Sequence, residues 1–307
     1  MFNVPVSTIG IEIEFDDDTE DHYIMAKIES HRDIEKISSR WTFVHDGSCG
    51  AEAVSRPMKP DRVYEEVCKL IEFLDKIPVE INRDCGIHVH VGAQFLAPDN
   101  VLNLLVGWMD FEDLIFRYFK PYSHRRDRYC KPLVDSKIHS RLKEWMNHVF
   151  EEGEQLLPNT AKDLAYILTG SPYPLNELRT HKYRSWRYYA LNLASLWLHK
   201  TLEIRLFNPT LDPERITGYA LFAHDFVQQV GYRYSLQPFP ATRMENFLRT
   251  EWDNTYYDVI PLMNLLLEQF PHAENIRKGL KLKNAEEYLQ ERSAGLSSAA
   301  TESNLVW

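Results

Sequence analysis

Three short segments alternate strictly between apolar and polar side chains, and that alternation constrains the fold more than any other feature of the chain. They are Gly10-Ile11-Glu12-Ile13-Glu14-Phe15, Gly86-Ile87-His88-Val89-His90-Val91 and Thr201-Leu202-Glu203-Ile204-Arg205-Leu206. Successive residues of a strand point to opposite sides of a sheet. Ile11, Ile13 and Phe15 therefore face one way and Glu12 and Glu14 the other, and the same division holds for the two later segments. One sheet built from all three has an apolar face for a core and a polar face carrying carboxylates, imidazoles and one guanidinium. Such a cluster is costly to assemble unless cations or phosphates bind there.

Alternation bounded by Gly, Pro or Asp predicts strands near 6–15, 40–45, 50–56, 86–92, 187–196 and 200–207. Helical spacing predicts a helix capped by Asp61 with Val63, Val67, Leu70, Ile71 and Leu74 as its stripe, and a longer one opened by Pro98. Further helices are expected over 136–153, from the capping-box-like Thr160-Ala161-Lys162-Asp163 to Gly170, from Asp212-Pro213 to about Gly231, and near 257–270 and 284–292. The stretch 171–186, rich in Pro, Arg and Tyr, reads as a long loop beside the polar face. Alternating strands, in place of solid Val/Ile blocks, predict an α+β fold: an antiparallel or mixed sheet, apolar under helices and open on its polar side. No internal repeat or linker divides the chain, so one domain is expected over 1–292, with a flexible tail over 293–307.

The chain has 307 residues, 44% hydrophobic and 26% charged, a globular composition that excludes the disordered and membrane classes. No apolar run approaches the roughly 18 residues of a membrane span, and residues 1–10 lack signal-peptide character, so a cytoplasmic protein is expected. The net charge of -10 argues against nucleic acid as a partner. The densest basic stretch, Ser123-His124-Arg125-Arg126-Asp127-Arg128, reads as a solvated turn. Cys49, Cys68, Cys85 and Cys130 are spaced too irregularly for a zinc ribbon or redox pair and read as reduced; Cys49 and Cys85, beside the polar cluster, read as small buried side chains.

Glu12 and Glu14 can reach two metal ions from one strand face, although a solvent-facing strand edge has the same pattern. Magnesium needs only a few protein carboxylates, because it keeps waters and phosphate oxygens. The segment 41–55 holds an Asp-Gly turn across which Asp46 and Glu52 can meet to complete a site; alternatively Asp46 only caps the turn. His88 and His90 share one strand face and are candidate ligands. Glu203 offers another ligand and Arg205 a fixed, planar cation for phosphate, unless the two merely pair with each other. The chain has no Walker loop, no Gly-x-Gly-x-x-Gly, no His-Glu-x-x-His and no Gly-x-Ser-x-Gly, so a bound nucleotide has to be held through metals and arginines.

Taken in order, Gly-Ile-Glu-Ile-Glu-Phe (10–15), Asp-Gly-Ser-Cys-Gly-Ala-Glu-Ala-Val-Ser (46–55), Cys-Gly-Ile-His-Val-His-Val (85–91) and Leu-Glu-Ile-Arg-Leu-Phe (202–207) resemble the amidoligase family. That family is a branch of the carboxylate-amine ligase superfamily, with glutamine synthetase and glutamate-cysteine ligase. The resemblance implies a glutamine synthetase-like catalytic domain, a curved, mostly antiparallel sheet backed by helices. It also implies an ATP-dependent ligase using magnesium, or manganese in its place, that joins a small-molecule or peptide carboxylate to an amine. Glu14 and Glu52, with Asp46, then match one metal site, and Glu12, His88 and Glu203 the other. Arg205 matches the position that holds the transferring phosphoryl group, and His90 has a supporting or substrate role. Arg184, Arg187 and Asn192 are weaker matches for phosphate or substrate contact. Two other readings stay open, a di-metal hydrolase of a phosphoester or amide and a retired ligase scaffold that binds a partner. An oligomer is compatible with all three.

Overall fold

The three alternating segments lie on three neighbouring strands. In the computed structural model residues 7–17, 24–152, 158, 160–170, 186–233, 263–264, 266–268 and 270–282 are described. Among them are β1 (Ile9–Asp17), β2 (Trp41–His45), β3 (Ala51–Ser55), β4 (Val79–Glu80), β5 (Ile87–Gly92), β6 (Leu191–Asn192) and β7 (Thr201–Phe207). They form a seven-stranded sheet in the order β2-β3-β1-β5-β7-β6, with β4 pairing the end of β1. Every pairing between these strands is antiparallel, and with its helices the fold is α+β as expected.

The apolar half of the alternation is fully covered. Ile9, Ile11, Ile13 and Phe15 of β1, Ile87, Val89 and Val91 of β5, and Leu202, Ile204 and Leu206 of β7 have no exposed surface. They join one core with the helices Val63–Leu74, Pro98–Phe119 and Pro213–Arg233. At about 25 cal/mol per Å² of apolar surface this burial is the main force holding the sheet to its helices. The helix Ala161–Thr169 begins with the expected capping box, where Thr160 accepts from the Asp163 amide, and ends at Gly170 in the left-handed conformation (φ 66°).

Three local expectations are corrected. Residues 187–196 are not a strand. A 3-10 turn (Trp186–Tyr188) leads into the two-residue β6, and the Asn192 side chain then accepts from the Ala194 amide and starts the helix Ala194–Leu198. Asp61 does not cap the helix after it, because it lies inside a 3-10 turn, Pro60–Arg62, whose proline fixes the first φ. The stretch 123–128 is a helix, Ser123–Arg128, and its Arg125 is buried, donating to the carbonyls of Arg205 (3.0 Å) and Phe207 (2.5 Å). Gly86 makes room for it: a Cβ there would sit 1.9 Å from Arg125 Nη2. The expected loop over 171–186, apart from Trp186, the helix over 284–292 and the tail lie outside the described residues, as does most of 257–270. No helix of the described residues is long and apolar enough to cross a membrane.

Candidate metal centre

Strand register brings the polar residues together. On β1, Glu14 lies opposite Glu52 of β3, and Glu12 opposite His88 of β5. On β7, Glu203 lies opposite both His90 of β5 and Asn192 of β6. A shift of register between Ile87 and Val89 sets the spacing of β5 against β7. Two like charges facing each other, as Glu14 and Glu52 do, destabilise a sheet unless something offsets them.

His88 is the hub. Its Nδ1 lies 3.1 Å from Glu12 Oε2 and 3.9 Å from carboxylate oxygens of Glu52 and Glu203, and its Nε2 lies 3.5 Å from Glu14 Oε1. Two ligand sets result, Glu12–His88–Glu203 and Glu14–Glu52–His88, each with donor atoms within 4.8 Å of one another. His90 borders the first set, with Nε2 3.1 Å from Glu12 Oε1 and Nδ1 2.9 Å from Thr201 Oγ1. That Nε2 is off the line of a hydrogen bond to Glu12 and is left buried without a partner.

Glu203 is held on every side. Its Oε2 accepts from Asn192 Nδ2 and Ser195 Oγ, both at 2.6 Å, and its Oε1 accepts from Arg205 Nη1 at 2.6 Å. Ser195 was not anticipated. Its only signal is the Asn-x-x-Ser spacing, which acquires meaning once the chain turns back over β7. The Glu203–Arg205 pair does form, but it is buried, and Arg205 Nε has no hydrogen-bond partner.

The polar face is not open at its centre: Glu14, His88, Asn192 and Glu203 are all buried. Burial raises a carboxyl's pKa and close cations lower it, so the glutamates separate. At Glu203 burial is outweighed by Arg205 and the two histidines, which bring the carboxyl down to about 2. At Glu12 burial is likewise outweighed, here by the hydrogen bond with His88 and the close imidazole of His90, and the carboxyl is held well below its ordinary range. Glu52 goes the other way, pushed up to about 9 by burial and by the charges of Glu12, Glu14 and Asp46. Burial would lower His90, but Glu203 and Glu12 raise it above the ordinary imidazole value. Burial and a negative charge that the cluster's own cations do not offset thus leave Glu52 with its proton.

The remaining candidates are not among the ligand atoms of the two sets. Asp46 Oδ1 accepts from the Ser48 amide (2.7 Å), the Ser48 hydroxyl (2.5 Å) and the Cys49 amide (3.0 Å), which is the turn-capping alternative. Arg187 is exposed, with its guanidinium 5.7 Å from the Tyr188 ring centre, and Arg184 lies outside the described residues. Asn192 directs its amide to Glu203. Cys49 and Cys85 are buried as expected; the Cys49 thiol lies 4.0 Å from Glu14 Oε2, and hydrogen bonding with Cys85, then burial, raises its pKa and keeps it protonated.

Four carboxylates and the His88 imidazole, with the carboxyl of Glu52 protonated and the unpartnered Nε2 of His90 beside them, fit hard divalent cations such as magnesium or manganese. A family model described as "putative amidoligase enzyme" matches residues 6–227, a span that contains every residue of both ligand sets and Arg205. Comparison with curated proteins gives no match.

Proposed function

The chain belongs to the amidoligase family and is by that membership a ligase-type, amide-forming enzyme; from this premise we propose that it is an ATP- and magnesium-dependent carboxylate-amine ligase. One observation carries the reading: in-register pairing of Glu14 with Glu52, beside Glu12, His88 and Glu203, builds two adjacent oxygen-rich ligand sets that share one imidazole. Glu14 and Glu52 would hold one ion, and Glu12, His88 and Glu203 the other. Bound ions of this kind screen and polarise phosphoryl oxygens.

The chain's own residues supply the rest. Arg205, anchored through Nη1 on Glu203, keeps Nε and its other amino group for phosphoryl oxygens, and its planar fork suits them. Asn192 and Ser195 lock the Glu203 carboxylate, so that the ligand does not reorganise as charge moves. His90, held through Nδ1 on Thr201, presents Nε2 beside Glu12 to orient a substrate carboxylate. In the proposed reaction the γ-phosphoryl group of ATP moves to the substrate carboxylate and ADP leaves. An uncharged amine then attacks the acyl carbon of the acyl phosphate, and phosphate departs with the amide formed. Burial of the cluster keeps water from intercepting the acyl phosphate.

Calorimetric titration with a non-hydrolysable ATP analogue, with and without magnesium, tests the reading. Binding that depends on magnesium supports it. Tight metal binding with no nucleotide binding overturns it in favour of the hydrolase.

A further inference from the structure

A second group of metal-liking side chains lies away from the sheet's polar face, at His224 and Asp225 of the helix Pro213–Arg233 and His272 at the start of the helix Ala273–Leu280. Asp225 is fully buried, and its Oδ1 sits 2.9 Å from His224 Nδ1 and 2.7 Å from His272 Nδ1. Its Oδ2 accepts from the His272 amide at 2.8 Å, so the backbone fixes the plane of the carboxylate. Zinc bonds nitrogen and oxygen at about 2.0–2.2 Å, which places neighbouring tetrahedral ligand atoms about 3.3–3.6 Å apart. The two contacts at Asp225 are somewhat shorter than that spacing, and rotation of the two imidazole side chains opens them.

We propose that His224, Asp225 and His272 form a site for a borderline divalent transition metal, zinc foremost, that staples the helix Ala273–Leu280 to the long helix beneath the sheet. Two imidazoles and one carboxylate are the donor set such ions prefer over magnesium, so this site and the sheet cluster select different metals. The Oδ2 contact supplies the outer support a ligating carboxylate needs. His224 is buried, and its Nε2 has no hydrogen-bond partner among the described residues, so no contact on the far side of the ring forces a proton onto Nδ1. The His272 side chain is 30% exposed, which leaves the ion a way in and a position for water as fourth ligand. The staple crosses a seam already closely packed: a Cβ on Gly279 would lie 2.2 Å from the Glu214 carbonyl. His224 and Asp225 lie inside the 6–227 family match and His272 beyond it, so the third ligand comes from outside the matched span.

The experiment is zinc titration of the full, chelator-stripped protein in saturating magnesium, followed by elemental analysis and thermal denaturation. The wild type is expected to take one zinc that magnesium does not displace, with a raised Tm. His272→Gln keeps a hydrogen-bond donor for Asp225 but no ring nitrogen, and should weaken that zinc at least about 100-fold. His272→Cys supplies a thiolate ligand and should restore it, whereas a purely hydrogen-bonding role would not be restored. Glu52→Gln, on the sheet, should leave it unchanged. The proposal is overturned if the wild type takes no zinc under magnesium, if His272→Gln binds it as the wild type does, or if Glu52→Gln removes it.

Discussion

The molecule gathers carboxylates and imidazoles twice, once on the polar face of its sheet and once in the helical layer, with opposite balances. On the sheet four glutamates meet two histidines and one arginine, and burial together with the surplus of negative charge pushes the Glu52 carboxyl up to about 9. In the helical layer a single aspartate is shared by two histidines, and burial is outweighed by their hydrogen bonds, so its carboxyl titrates below the ordinary range. The first cluster carries a surplus of carboxylates, the donors proposed to hold magnesium. The second sets one carboxylate between two imidazoles, the donors proposed to hold zinc. The same residue types, in different proportions, suit different cations.

The largest effect expected from breaking the comparison is at Glu203. Glu203→Gln keeps the volume and loses a charge that two ligand-set neighbours and Arg205 depend on, so magnesium affinity should fall at least about 100-fold, while His272→Gln leaves it unchanged. Calorimetry on the two variants checks this; equal losses would merge the clusters into one functional unit. Next is Arg205→Lys, which retains the charge and loses the fork. Affinity for the ATP analogue should drop about tenfold with magnesium binding alone preserved.

A smaller, pH-dependent effect comes from Glu52. Its carboxyl is raised from 4.5 to about 9 in the fold, so its contribution to stability is fully present below pH 4.5 and is lost as pH rises through 9. Without metal, Tm should therefore decline across that window; Glu52→Gln should flatten the decline, and magnesium should oppose it. Magnesium uptake near pH 7.5 should release close to one proton per chain, measurable by calorimetry in buffers of different ionisation enthalpy. Glu203, lowered to about 2, acts with the opposite sign on the acid side, its contribution lost as pH falls from 4.5 toward 2. The smallest effect is at Asp46. Because its carboxylate caps the turn, Asp46→Ala should cost about 1 kcal/mol in chemical denaturation and shift magnesium affinity by less than about twofold; a large loss of affinity would return Asp46 to the ligands.

The sheet cluster was legible because strand alternation writes both faces into the same few residues: Ile11 and Ile13 identify the core side, and Glu12 and Glu14 follow from it. Register was not legible. Nothing local says that Glu14 faces Glu52, nor that β5 shifts between Ile87 and Val89 to bring His90 opposite Glu203. The segment 187–196 alternates like a strand, yet a turn in which the Asn192 side chain accepts from the Ala194 amide leads into a helix and delivers Ser195 to Glu203. Arg125 looked solvated because its neighbours are charged, whereas its partners are backbone carbonyls about eighty residues away. The helical-layer cluster was invisible for the same reason, since His272 and Asp225 are 47 residues apart and no period links them.

Anomalous diffraction from crystals soaked in manganese and the ATP analogue tests the central claim most directly. The account predicts two manganese peaks on the sheet's polar face, one bounded by Glu12, His88 and Glu203 and one between Glu14 and Glu52, with the nucleotide's phosphates reaching Arg205. A map with no manganese among these side chains, or with manganese there and the phosphates bound elsewhere, would contradict it.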